Sequence, residues 1–108
     1  MSARYKPIEK RKGKDENSGP INDLAFVRDR NVLNFTFSKP VGATSVKVEC
    51  AENGGTSWVT YPSSLNEEST TFQIFINESY TFNMKIKLVV EGGIRAGDSN
   101  VVNFILNI

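Results

Sequence analysis

The chain predicts an antiparallel all-β sandwich, and three observations carry that prediction. Side chains alternate with period two over most of its length, turn residues recur between the alternating runs, and helical spacing fits none of the runs. The 108 residues suffice for one such domain and not for two.

Taken in order, the alternation predicts seven strands, at about residues 21–27, 31–38, 44–51, 57–61, 70–76, 80–90 and 100–107. Leu33, Phe35 and Phe37 alternate with Asn34, Thr36 and Ser38, so an extended chain puts the first three on one face. Val46, Val48 and Cys50 alternate with Ser45, Lys47, Glu49 and Ala51, and Phe72, Ile74 and Ile76 with Thr71 and Gln73. The longest run is Tyr80, Phe82, Met84, Ile86 and Leu88, interleaved with Thr81, Asn83, Lys85 and Lys87. Val102, Phe104, Leu106 and Ile108 close the chain. Between the runs, Lys39-Pro40-Val41-Gly42 ends one strand, because proline cannot donate to a central ladder. Asn53-Gly54-Gly55 supplies the positive φ of a tight hairpin. Residues 92–99, opened by Gly92-Gly93, read as a loop long enough to be mobile.

The first nineteen residues differ from the rest. They carry Arg4, Lys6, Lys10, Arg11, Lys12 and Lys14 against Glu9, Asp15 and Glu16, a net +3 that leaves −2 for the remainder. No large apolar residue falls between Ile8 and Ile21, and Asn17-Ser18-Gly19-Pro20 marks a boundary. Residues 1–19 are read as a basic, flexible arm and residues 20–108 as the domain.

Composition narrows the function. There is no histidine, which removes the commonest general base, metal ligand and pH switch together. The lone Cys50 has no partner for an internal disulfide or a cysteine metal cluster. A non-enzymatic protein is expected, with no catalytic residue, metal or cofactor. Glu67-Glu68 reads as a solvated turn, and Cys50 as a small buried hydrophobe. No apolar run is long enough to span a membrane or serve as a secretory signal, so synthesis and retention on the cytoplasmic side are expected. The glycosylation patterns at Asn34 and Asn77 are therefore read as coincidences.

At this point the sequence resembles a fibronectin type III domain, of the stand-alone phage or bacterial type, over about residues 20–107. Pro20-Ile21-Asn22-Asp23-Leu24 is similar to the family's approach to strand A, and residues 33–40 to strand B, with Phe37 where the family usually has a core Trp. Residues 43–49 and 53–58 are similar to strands C and C′, and residues 92–100 to the passage from strand F into strand G. Val46 stands where the family's strand-C Tyr is usual, and the tyrosine corner falls on Tyr80 or on Phe82, which has no hydroxyl. The resemblance implies a seven-stranded immunoglobulin-like sandwich used as a spacer or recognition module.

Those implications set the functional expectation. Phage virion proteins are made in a host cytoplasm without a signal and leave by lysis, which reconciles this kind of domain with this chain. A capsid decoration or tail-surface protein is expected, located in the virion, that docks on protein subunits through Arg4, Lys6, Lys10, Arg11, Lys12 and Lys14. A cell-surface or extracellular fragment of a longer chain is the alternative location. The alternative function is a carbohydrate- or host-surface-binding domain using Trp58, Tyr61 and the 92–99 loop, with Arg95 and Asp98 as contacts. Self-association through an edge strand is open. Nucleic acid is not expected, because no basic face continues the short arm cluster into the acidic body.

Overall fold

A computed structural model describes residues 18–77 and 83–105. Among them there is no helix, and eight strands form two antiparallel sheets. The smaller sheet has the order β1-β2-β5, from β1 (Ala25–Asp29), β2 (Val32–Thr36) and β5 (Thr71–Phe75). The larger runs β4-β3-β6-β7, from β4 (Val59–Tyr61), β3 (Ser45–Glu52), β6 (Met84–Glu91) and β7 (Gly97–Asp98), while β8 (Val102–Phe104) also pairs with β6. The inward residues of both sheets meet in one core.

Registers show why the alternating residues are the buried ones. Leu33 lies opposite Ile74 and Phe35 opposite Phe72 in the small sheet, and Val46, Val48 and Cys50 face Val90, Leu88 and Ile86 in the large one. Leu33, Phe35, Val48, Ile86 and Leu88 are fully buried. Each such side chain contributes about 1.5–3 kcal/mol over leaving it in water. Phe37 and Val46 are also buried. Tyr80, Phe82, Leu106 and Ile108 lie outside the described residues.

The final strand departs from expectation: within the run predicted over residues 100–107 the described strand is β8, and a second short piece along β6, β7, falls in the stretch read as a loop. Ser99 divides them. Its N–H donates to the Leu88 carbonyl (2.9 Å), and its hydroxyl accepts from the Leu88 N–H (2.8 Å) while donating to the Asn100 carbonyl (2.8 Å). A side chain thus occupies a place the ladder would give to a backbone carbonyl. Asn100 then holds the chain ahead of β1: its amide donates to the Leu24 carbonyl and accepts from the Leu24 N–H, and its own N–H reaches the Ile21 carbonyl. This explains why β1 starts at Ala25 rather than near 21. Ile21 and Leu24 are buried but bonded to Asn100 instead of a strand.

The β3–β4 connection is also longer than the tight hairpin the glycines suggested. Gly55 closes a turn on the Glu52 carbonyl (2.8 Å), with Gly54 at φ +90°, but pairing resumes only at Cys50 opposite Val59.

Candidate recognition surface

Alternation that turns apolar residues inward turns another set outward. On the large sheet the outward row includes Lys47 and Glu49 of β3, Lys85 and Lys87 of β6, Thr60 of β4 and Asp98 of β7. Trp58 precedes β4 and joins this face: the Lys87 amine lies 4.3 Å from the indole centroid and the Lys85 amine 5.1 Å. Lys87 also forms an ion pair with Asp98 at 2.7 Å. The result is a chain of contacts, Lys85–Trp58–Lys87–Asp98, in which ammonium groups sit over the π face. Two residues expected to act in recognition, Trp58 and Asp98, are therefore brought together through a lysine.

The other two are elsewhere. Tyr61 lies opposite Val48 and packs against the core, as the opposite parity of positions 58 and 61 requires. Arg95, expected on an exposed loop, is instead buried, with 3% of its surface accessible. The reason is that the 92–97 loop is clamped. Gly93, at φ +80°, sits so close to the 41–43 backbone that a Cβ there would come within 2.3 Å of the Val41 carbonyl oxygen. The Ile94 N–H donates to that same carbonyl (3.3 Å), and the Gly19 N–H donates to the Ile94 carbonyl (2.8 Å). Arg95 is positioned to act structurally, and its charge is felt at Asp23. Burial pushes the Asp23 carboxyl up, but hydrogen bonds from the Ser38 hydroxyl and N–H, aided by Arg95, outweigh it and hold the group below its ordinary value.

Glu67 and Glu68 have distinct structural partners. Glu67 accepts from the Gly42 N–H (2.9 Å), and Glu68 pairs with Lys39 at 3.2 Å. Among the described residues no group of three or more His, Cys, Asp or Glu side chains is placed to hold a metal ion. The Asn34 amide oxygen accepts from Gln73 at 2.7 Å.

No protein-family model and no curated protein matches the chain.

Cys50 was expected to be buried and is only half-buried. It lies along a cleft of about 380 Å³ with Ala51, Gly55, Ser57, Val59 and Met84. Burial first, and then the neighbouring Glu49 charge, push its thiol up to about 11. It is therefore protonated and weakly nucleophilic at neutral pH. The cleft left no trace in the alternation, because it arises where the 53–58 connection swings wide of β3. Lys85 and Lys87 were legible as outward positions, but their convergence on Trp58 depends on register between strands distant in sequence. The six cationic arm residues, Arg4, Lys6, Lys10, Arg11, Lys12 and Lys14, lie outside the described residues.

Proposed function

We propose that this chain is a non-enzymatic structural module, a fibronectin type III-like sandwich displayed on a bacteriophage virion as a capsid decoration or tail-surface protein and attached through its basic N-terminal arm. Strand order supports the family part of the reading. Lettered by the resemblance, β1, β2 and β5 are strands A, B and E, and the larger sheet collects C′, C, F and a divided G. The observation that carries the functional part is the charge division: six cations before residue 20 against an acidic body. Gly19, the last residue read as arm, donates to Ile94 beside the 41–43 backbone, so the point from which the arm departs lies at the end of the sandwich that carries those loops. Attachment by that end leaves the opposite end facing outward. A solvated basic segment facing acidic subunit surfaces gains affinity mainly by charge complementarity, which ties attachment to ionic strength.

The carbohydrate reading draws less support. Stacking on a sugar needs a bare aromatic face. The Trp58 ring already carries two lysine amines, and Tyr61 turns to the core.

Deleting residues 1–17 tests the reading while sparing Gly19. The shortened chain is expected to keep its β-sheet circular-dichroism spectrum and to be lost from purified particles, whereas the full chain co-purifies and is released by raised salt. Equal incorporation of both forms removes the docking role of the arm; absence of the full chain from particles removes the virion assignment.

A further inference from the structure

We infer that β5 is a strand-addition edge that pairs with β5 of a second copy of this chain. The inference stands independently of the virion reading.

An edge strand presents unpaired backbone donors and acceptors, and proteins normally blunt such edges. Three of the edges here are blunted. β1 carries Arg28 and Asp29, with the Arg28 guanidinium 5.5 Å from the centroid of the Phe104 ring, a charge turned toward the core. β4 has only three residues and is followed by Pro62. The edge formed by β7 and β8 is interrupted at Ser99 and carries Asp98. β5 has no such device. It ends its sheet among the described residues, and residues 69–77 contain no charge, proline or glycine. Its outward residues are Thr71, Gln73 and Phe75, the last with 68% of its surface exposed. Glu67 and Glu68, just before it, are engaged by the Gly42 N–H and by Lys39.

The character of this edge selects its occupant. An incoming strand with outward charges would set them beside Thr71 and Phe75, where β5 offers no counter-charge. Among the described edge strands β4, β5 and β8 carry no charge, but β4 and β8 have three residues each, whereas β5 has five and is self-complementary. In an antiparallel pair centred on Gln73, Thr71 faces Phe75 of the second copy, and Phe72 faces Ile74 of the second copy. Both pairs join an aromatic to a β-branched residue, a combination that stabilises adjacent strands. The two-fold relation closes on itself, giving a dimer with a six-stranded sheet and no further copies. A five-residue strand pair buries less than the ~1,000 Å² of a standing interface, so a dissociation constant of about 10 μM to 1 mM is expected.

Sedimentation equilibrium of the full chain over about that range tests this, with Phe75→Lys and Thr71→Lys as edge variants. Val27→Lys, at a position 71% exposed on the opposite edge strand of the same sheet, is the control. All three replace outward side chains, and unchanged circular dichroism verifies folding. A monomer–dimer equilibrium weakened about tenfold or more by either edge variant and unmoved by Val27→Lys supports the inference. A monomer at about 1 mM overturns it, as does a dimer indifferent to the edge variants or equally sensitive to Val27→Lys. A dimer seen only after deletion of residues 1–17 also overturns it, since the chain's own arm would then be the occupant.

Discussion

The two sheets bury their inner faces by the same alternation but with different materials. The small sheet is aromatic inside: Phe35 stacks on Phe72 with centroids 4.4 Å apart and planes 7° from parallel, and Phe26 lies 5.3 Å from Phe35. The large sheet opposes them mainly with Val46, Val48, Ile86, Leu88 and Val90. Outside, the contrast reverses in kind. The small sheet shows Val27, Asn34, Gln73 and Phe75 with a single charge at Asp29, while the large one shows lysines, acids and Trp58. The lesson is that folding constrains the inner rows to be apolar and leaves the outer rows free to differ, so recognition is to be sought on the outside.

The largest effect tests the inner contrast. Phe35→Ala removes a fully buried ring together with its contacts to Phe26 and Phe72, and is expected to cost about 3–5 kcal/mol. Leu88→Ala, equally buried on the large sheet, is expected to cost about 2–4 kcal/mol. Urea unfolding of both variants measures the difference. A larger loss at Leu88 would mean that the aromatic stack adds nothing beyond its area.

A smaller effect addresses the outer contrast. Lys87→Ala breaks the ion pair with Asp98 and withdraws one amine from Trp58, a loss of about 1 kcal/mol. The ion-pair share should shrink in about 1 M salt. Gln73→Ala on the small sheet should cost less than about 1 kcal/mol and show no salt dependence, since its bond to Asn34 joins neutral amides. Trp58 is the sole tryptophan, so its emission reports the Lys87 change directly. Equal salt dependence in both variants would erase the distinction between the faces.

What the sequence revealed follows the same division. Leu33, Phe35, Val48, Phe72, Ile74, Ile86 and Leu88 were legible because a buried face requires period two and almost nothing else satisfies it. The division of the last strand at Ser99 was not, since a hydroxyl replacing a carbonyl breaks no hydrophobic pattern. Arg95 misled for a related reason. A charged residue among glycines reads as exposed, but those glycines let the 92–97 backbone close onto residues 41–43 and cover it. The face around Trp58 was half legible: the parity of Lys85 and Lys87 was in the sequence, whereas the pairing of β3 with both β4 and β6 that gathers them was not.

The last contrast is one of pH, between the segment ahead of β1 and β3 of the large sheet. Asp23 anchors the segment before β1 to Ser38 after β2, and its carboxyl is held below the ordinary value of 3.8. A carboxyl that is more acidic in the folded chain than in the unfolded one stabilises the fold above pH 3.8, and that contribution disappears as pH falls below it. Cys50, on β3 of the large sheet, behaves in the opposite sense. Its thiol is raised from 9.0 to about 11, so the folded chain resists forming the thiolate. The associated stability is intact below pH 9 and is lost as pH rises toward 11, because the unfolded chain gives up the proton first. Asp23→Asn should therefore flatten the acid limb of a stability–pH profile, and Cys50→Ala should flatten the alkaline one, each leaving the other limb in place. Thiol labelling gives an independent measure: folded protein should react more slowly than urea-unfolded protein at pH 8, and the gap should narrow as the solution is made alkaline. Equal labelling rates at pH 8 would show that the large sheet does not shield Cys50.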